Sequence, residues 1–185
     1  MEDQNTPDPT LAVQAKKDRH AFVALYQRHL KRVYVYHLAR TGNVQDSQDL
    51  TSETFLAALS AIAGYRPERS FAAWLLGIAH HKLADFYGRR GLPQSSLDEV
   101  GDPPAPGAAP DLAAAQRIDL KRVRQVLRLL PVERADALSL RYFSELSLAE
   151  VALVMGKNEA AVKMLIYRGL QEMRDRLGSG VLEEV

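Results

Sequence analysis

The chain contains no cysteine, which excludes disulfides, thiolate zinc sites and cysteine nucleophiles and fits a reducing compartment. It also lacks any run approaching the roughly 18 apolar residues that indicate a membrane-spanning helix. The first residues, Met1 to Asn5, have neither the basic start nor the apolar stretch of a secretory signal. These absences predict a cytoplasmic protein without membrane insertion.

Sequence patterns typical of catalysis are missing as well. There is no phosphate-binding glycine loop, no set of residues spaced as metal ligands and no plausible catalytic triad. The adjacent His80 and His81 point in different directions on a helix and have no evident third ligand, so we expect no metal site. We therefore expect a protein that is not an enzyme and that uses no cofactor and no small-molecule substrate.

The formal net charge of only +1 conceals an uneven distribution. Acidic residues dominate the N-terminal tail and the middle of the chain, whereas basic residues gather in the C-terminal part. Separated charge of this kind indicates a polyanionic partner for one half, although many charged runs are simply solvated helix faces. The basic residues concerned are Arg117, Lys121, Arg122, Arg124, Arg128, Lys163, Arg168, Arg174 and Arg176.

Apolar residues recur at three- and four-residue steps along most of the chain, and no segment alternates as a strand would. The pattern predicts an all-α fold. Gly42 is expected to end one helix and Asn43 to cap the next, which runs to about Ala63. After a loop at 64–70, a third helix is predicted from about Phe71 to Arg90.

Proline and glycine divide the chain into two parts. The stretch 92–111 holds five of the nine prolines, so it is predicted to be a flexible linker. We expect two small helical domains, at 18–91 and 112–178, with a disordered tail at 1–17 and a short tail at 179–185. In the second domain Pro131 suits the first turn of a helix that reaches about Phe143.

A helix-turn-helix is indicated near the C-terminus. Ala152 is small enough for two helices to cross closely, and Gly156 can adopt the left-handed conformation of the turn. Asn158 is a favourable cap for the second helix. The buried face of that helix is expected to contain Val162, Ile166, Gly169, Leu170, Met173 and Leu177. The alternative is an amphipathic hairpin whose polar face only meets water, because isolated matches to this pattern are often false.

Several longer motifs follow one another in a fixed order: FVALY at 22–26, DSQDLTSETFL at 46–56, FAAWLLGIA at 71–79, LRYF at 140–143 and LSLAEVA at 146–152. Together they resemble the extracytoplasmic-function (ECF) sigma factors of the sigma-70 family. The resemblance implies a sigma region 2-like helical domain followed by a region 4-like helix-turn-helix domain. It also implies a subunit that directs RNA polymerase to promoters for transcription initiation.

The first site that the resemblance implies is a helix that binds core RNA polymerase. Asp46, Asp49 and Glu53 fall at i, i+3 and i+7 and form one acidic stripe. A solvated acidic face near a helix N-terminus is the alternative interpretation. Gln48 stands where the family often has an acidic residue, which leaves its contacts open. The implied polymerase-binding residues are Asp46, Gln48, Asp49, Leu50 and Glu53.

The second implied site holds the melted minus-10 promoter strand. The loop at 64–70 is the candidate for capturing a flipped base, and basic residues that follow it would hold phosphates. Trp74 is a core anchor by its helical position, and the resemblance adds that it shapes this DNA surface. His80 and His81 stand where the family often has Arg-Asn, so their contacts stay open. The implied residues are Tyr65, Arg66, Arg69, Trp74, His80, His81, Lys82, Arg89 and Arg90.

The third implied site is the second helix of the helix-turn-helix, which would read the minus-35 element in the major groove. Lys157 is irregular, because an apolar residue is usual at its place in the motif. The implied residues are Arg141, Asn158, Glu159, Ala160, Ala161, Lys163, Met164, Tyr167 and Arg168.

The partners implied by the resemblance are core polymerase, promoter DNA and an anti-sigma factor. On the polymerase they are the clamp coiled coil of the largest subunit and the flap of the second subunit. The alternative function is a polymerase-independent helix-turn-helix regulator, which would normally need a dimer and spaced half-sites. No segment of the sequence is typical of a dimerisation helix.

Overall fold

The computed structural model describes residues 6–90 and 121–179, which we call the N-terminal unit and the C-terminal unit. Every regular element in these two ranges is helical, so the predicted all-α fold is confirmed. Within them no helix is both long enough and apolar enough to cross a membrane. The predicted linker at 92–111 lies outside the described residues, and so does the C-terminal tail beyond Ser179.

Three long helices build the N-terminal unit: α2 at Arg19–Thr41, α3 at Val44–Ala61 and α4 at Phe71–Arg90. Gly42 ends α2 with a left-handed φ of 65°, which a residue with a side chain rarely adopts. The Asn43 side chain then accepts a hydrogen bond from the Asp46 backbone N–H at 3.0 Å and starts α3. The boundary predicted between these two helices is confirmed.

The predicted disordered tail at 1–17 is wrong for its second half, which contains helix α1 at Asp8–Gln14. Leu11 on this helix is completely buried. Asp8 holds the helix to α2, because its carboxylate lies 2.8 Å from Arg28 Nη1 and 2.7 Å from His29 Nε2. The prolines that favoured a tail occupy the start of α1, where a missing backbone N–H costs no helical hydrogen bond.

The C-terminal unit opens in a helix at 121–128, here α5, followed by α6 at Val132–Leu138. The chain continues from α6 into a π-helical turn at Ser139–Phe143, which confirms the predicted extent of this helix. Pro131 lies one residue before α6, not in its first turn, and its carbonyl accepts the backbone N–H of Arg134. Helices α7 at Leu148–Met155 and α8 at Glu159–Ser179 complete the unit.

The two units share one continuous hydrophobic core. Helix α7 packs on α4, and the π-helical turn packs on α2. The sequence predicted two helical domains tethered by a linker, with no indication that they touch. In the structure the C-terminal unit lies directly on the N-terminal unit, and this contact decides which surfaces are accessible.

Candidate nucleic-acid and protein interfaces

The helix-turn-helix is formed by α7, the turn at Gly156 and α8. Ser147 and Glu150 make a capping box at the start of α7, with the Ser147 backbone N–H donating to Glu150 Oε2 at 2.8 Å. Gly156 has a φ of 61°, as the turn requires. Asn158 accepts the Ala161 backbone N–H at 2.8 Å and caps α8. The turn and the caps predicted from the sequence are confirmed.

One stripe of α8 anchors the helix in the C-terminal unit. Val162 and Ile166 are buried, and Gly169 is needed because a Cβ there would lie 2.8 Å from Leu138 Cδ1. Leu170 was expected on this stripe, but its side chain is 42 % exposed. It lies one residue, or about 100°, beyond Gly169 and therefore at the edge of the buried face.

The opposite face of α8 is open to solvent from its first turn. Ala161 is half-buried, and Lys157, at the irregular position, pairs with Glu133 at 2.8 Å. Arg141 is exposed but is held by a 2.6 Å hydrogen bond from its Nη1 to the Leu146 carbonyl. The other candidate minus-35 residues are all exposed: Asn158, Glu159, Ala160, Lys163, Met164, Tyr167 and Arg168.

The acidic stripe of α3 is divided between two environments. Gln48 and Asp49 are exposed, and Asp46 is half-buried near the start of the helix. Glu53 is turned toward α4, where its Oε2 lies 3.7 Å from Lys82 Nζ and 3.9 Å from Arg89 Nη2. Two candidate phosphate-binding cations are therefore partly neutralised by a candidate polymerase-binding carboxylate.

Leu50 was predicted to contact polymerase, but it is only 2 % exposed and belongs to the core. It lies on the opposite side of α3 from Gln48, since two residues turn a helix by about 200°. In this structure Leu50 anchors α3 in the hydrophobic core and so holds the acidic stripe in place.

Tyr65 was predicted to contact DNA from the loop at 64–70, but it is only 1 % exposed. Its hydroxyl donates to the Arg69 carbonyl at 2.6 Å, and its ring packs edge-on against Phe71 and Trp74. Tyr65 therefore supports the loop from inside the core. Arg66 and Arg69 on the same loop are exposed.

Three candidate DNA residues of α4, Trp74, His80 and His81, line cavities against the C-terminal unit, whereas Lys82 and Arg89 lie beside Glu53 of α3. Trp74 and His81 line a cavity of about 270 Å³ together with Leu153 and Val154 of α7. His80 lines a second cavity between the units, of about 280 Å³, with Asp136 and Lys157. Arg90 ends α4, and its side chain lies outside the described part of the chain.

Burial is the largest cause of a lowered pKa at three histidines of the N-terminal unit, His29, His37 and His80. Burial lowers the pKa of His37 to about 3, so this imidazole is neutral. The Thr54 hydroxyl donates to the Leu50 carbonyl, and His37 Nε2 is therefore the donor in its 3.1 Å contact with Thr54 Oγ1. Burial also lowers the pKa of His80, against the opposing pull of Asp136. Within 6–90 and 121–179 no three potential ligands are grouped to hold a metal.

A buried ion pair between the units was not predicted from the sequence. Arg40 Nε on α2 lies 2.7 Å from Asp136 Oδ1 on α6, and the two side chains are only 1 % and 7 % exposed. Burial alone would lower the pKa of Arg40, but the adjacent carboxylate raises it, so the guanidinium stays charged. A signal was present in the helical spacing, because Arg40 continues the buried stripe of Val33 and Tyr36.

Family models match both units. The model described as Sigma-70 region 2 matches residues 25–92, and that described as Sigma-70, region 4 matches residues 120–173. These ranges coincide with the helical core of the N-terminal unit and with the helix-turn-helix unit.

Several relatives span most of the chain. The ECF RNA polymerase sigma factor SigD of Mycobacterium tuberculosis is 32 % identical over 179 residues, which cover 92 % of this chain and 83 % of that protein. The ECF RNA polymerase sigma factor BldN of Streptomyces coelicolor is 35 % identical over 155 residues. That match covers 83 % of this chain and 59 % of BldN, so the similarity spans little more than half the length of that relative.

A solved structure is similar across both units. It is the complex of CnrH with the cytosolic domain of CnrY, and its sequence identity to this chain is 26 % with a TM-score of 0.74. The match covers 93 % of this chain and 97 % of that one. CnrH is an RNA polymerase sigma factor of Cupriavidus metallidurans. With both sigma-70 regions present in order and relatives of this similarity, the chain belongs to the ECF sigma factors of the sigma-70 family.

Proposed function

We propose that this chain binds core RNA polymerase through α3, holds the melted minus-10 strand on α4 and its preceding loop, and reads the minus-35 element with α8. Sigma factors of this family are initiation factors and not enzymes, so the polymerase supplies the chemistry.

The observation that carries the proposal is the exposed face of α8. Lys163 projects from the second turn of a helix that is anchored on its other side by Val162 and Ile166. A helix presented in this way can enter a major groove with its first turns against the base edges. If that face only met water, polar side chains would be expected along it. Instead the largely apolar side chains of Met164 and Tyr167 are 47 % and 56 % exposed there.

The α3 face supports the polymerase contact by its charge. Asp49 is exposed on α3, which begins at Val44, and carboxylates there can pair with basic groups of a coiled coil. For the anti-sigma partner the support is the similarity to CnrH, which was solved with the cytosolic domain of CnrY. We propose that an anti-sigma factor binds this chain and holds it inactive.

The test is run-off transcription with sigma-free core polymerase and the DNA upstream of the chain's own gene. The protein should produce discrete transcripts. Lys163→Ala should reduce their yield, because it should weaken DNA binding by about 1–3 kcal/mol. Asp49→Ala should reduce the amount of chain bound to core polymerase on a sizing column.

Arg174→Ala is the matched control for Lys163→Ala. Arg174 is exposed on α8, three helical turns and about 16 Å further along, away from the first turns. Its removal should change transcript yield much less than the removal of Lys163 does. Failure of the chain to bind core polymerase and to produce transcripts would leave a polymerase-independent DNA-binding regulator as the better assignment. Core binding without transcripts would show that the template lacks the promoter.

A further inference from the structure

The loop before α4 is held at both ends of its exposed turn, residues 66–69. The Tyr65 carbonyl, which precedes the turn, accepts a 2.8 Å hydrogen bond from Lys16 Nζ. The Arg69 carbonyl, which ends the turn, accepts a 2.6 Å hydrogen bond from the Tyr65 hydroxyl. Within the turn the Arg69 backbone N–H donates to the Arg66 carbonyl at 3.1 Å. The exposed side chains of Arg66 and Arg69 therefore project from a backbone whose two ends are fixed.

Tyr65 is a rigid support for this turn. It is only 1 % exposed, and its ring centroid lies 5.5 Å from that of Phe71 and 5.4 Å from that of Trp74. Both rings belong to the first four residues of α4, so the support of the turn and the start of α4 form one packed cluster. Ser70 joins them, because its Oγ accepts the Ala73 backbone N–H at 3.3 Å. The turn therefore has a fixed position relative to α4.

Lys16 reaches the loop from the end of α1, a helix that is fastened to the rest of the N-terminal unit. Leu11 on this helix is completely buried. At the start of the helix, the Asp8 carboxylate lies 2.8 Å from Arg28 Nη1 and 2.7 Å from His29 Nε2 of α2. Lys16 lies two residues beyond the last residue of α1. A helix that is docked at its start and along its length thus brings the Lys16 ammonium to the loop.

The alternative role for Lys16 is direct contact with a DNA phosphate. A lysine ammonium has three donors, and the Tyr65 carbonyl takes one of them. This bond is partly buried and joins residues 49 positions apart, so it ties α1 to the loop. Contact with a phosphate does not require such a bond, whereas positioning of the loop does.

We propose that Lys16 and Tyr65 are positioning residues for the minus-10 strand: they hold the turn at 66–69 in the shape that receives an unpaired base, without touching the DNA. A turn already held in its bound conformation loses less conformational entropy on binding. The inference rests on the proposed function, because that function assigns the loop at 64–70 to the melted strand. It adds that α1, which precedes the residues matched by the region 2 model, takes part in base selection.

The test compares base selection by holoenzymes assembled from core polymerase and variants of the full chain. The probes are DNA duplexes with a melted segment of randomised sequence, which the holoenzyme retains and which are then sequenced. Lys16→Met removes the donor to the Tyr65 carbonyl, whereas Lys16→Arg restores a donor on a side chain of similar length. Tyr65→Phe keeps the ring and removes only the hydroxyl. Lys17→Met is the matched control, since it removes the same charge from the adjacent exposed position.

The natural chain should enrich one base at a position of the melted segment. In Lys16→Met and in Tyr65→Phe this enrichment should fall about fivefold, as expected for the loss of one hydrogen bond. Core binding and the salt dependence of DNA binding should stay unchanged, because no contact with polymerase or phosphate is removed. Lys16→Arg and Lys17→Met should retain the enrichment.

Unchanged enrichment in Lys16→Met and Tyr65→Phe would overturn the positioning role and leave the proposed function intact. A uniform loss of DNA binding in Lys16→Met, with a salt slope lower by about 1, would also overturn it, because Lys16 would then contact a phosphate. A natural chain that bound core polymerase without any base preference in the melted segment would overturn the assignment of the loop to the minus-10 strand, and the positioning role with it. If circular dichroism showed that Lys16→Met does not fold, Tyr65→Phe alone would decide between these outcomes.

Discussion

Helices α3 and α4 lie side by side in the N-terminal unit, yet their candidate binding faces differ in accessibility. The α3 face, with Asp49, is open to solvent, whereas on α4 Trp74 is half-buried beside α7 and only His81 next to it stays exposed. Both helices are long and well defined, so the difference does not come from local structure. It comes from where the C-terminal unit is docked. Accessibility of a binding surface is therefore a property of the whole chain.

The largest effect is expected from Asp136→Ala, which removes the ion pair between the units and should separate α7 from α4. The substitution removes the carboxylate that pairs with the buried Arg40 guanidinium, at a cost of about 3–5 kcal/mol to the closed arrangement, in which α7 packs on α4. Separation of the units relieves this cost, because Arg40 is then hydrated. Acrylamide quenching of Trp74, the only tryptophan, should increase strongly while the helical circular dichroism is retained.

Two controls sharpen the test of Asp136→Ala. Glu145→Ala removes a 3.5 Å contact with Arg32, but the Glu145 side chain is 78 % exposed, so quenching should hardly change. Arg40→Met/Asp136→Leu removes both buried charges together and should restore low quenching. Quenching that is equally high in the double variant would show that packing, and not the unpaired charge, closes the units.

The next effect concerns pH and the interior of the N-terminal unit. The pKa of His37 is about 3 in the folded unit and 6.5 in an exposed histidine. Below pH 6.5 the unfolded chain therefore binds a proton on His37 that the folded unit does not bind. Stability is therefore fully present above about pH 6.5 and falls by about 1.4 kcal/mol per pH unit down to about pH 3. His37 alone should cost about 2 kcal/mol between pH 6.5 and 5.

Urea unfolding at pH 7 and at pH 5 measures this loss. His37→Gln keeps a donor for Thr54 but does not titrate, so its stability should depend less on pH by that amount. An identical pH dependence in the variant and the natural chain would contradict the assignment to His37.

A smaller effect is expected from Asp49→Lys on the open α3 face. Reversing one exposed charge should weaken core polymerase binding about tenfold, or about 1.4 kcal/mol, without changing the quenching of Trp74. Glu68→Lys, on the exposed part of the loop before α4, is the matched charge reversal. Equal losses of core binding in the two variants would indicate a general charge effect and not a contact at α3.

The smallest effect is expected from Glu53→Gln. Glu53 is the residue of α3 that contacts the basic side chains of α4. Its carboxylate lies near Lys82 and Arg89, and all three side chains are partly or largely exposed, so the interaction is worth less than about 1 kcal/mol. Neutralising Glu53 should raise the DNA affinity of the holoenzyme a few-fold by releasing the two cations. Filter binding at several salt concentrations measures this change, and a lowered affinity would contradict it.

Local structure was predicted well from the sequence, because it depends on residues close together in the chain. Gly42 and Asn43 mark the boundary of α2 and α3, and Gly156 and Asn158 mark the turn and cap of the helix-turn-helix. Left-handed glycines and side-chain caps act within one helical turn. The two family regions were identified for the same reason, since their motifs are continuous segments.

The errors share a different cause. The tail at 1–17 was predicted to be disordered because its partners, Arg28 and His29, are some twenty residues away. Tyr65 and Leu50 were assigned to surfaces because a motif does not state which of its members point inward. Each error concerns a contact distant in sequence or the orientation of a side chain.

The sequence by itself determined the helices beyond α1, the boundary between α2 and α3, the helix-turn-helix and the family, because helical periodicity and capping are local properties. Only the tertiary structure decided that α1 docks on α2, that Arg40 meets Asp136 across 96 positions, and that α7 packs on α4. The physical reason is that burial of a charge pair or a helix face depends on two segments meeting. Neither segment encodes that meeting in its own periodicity.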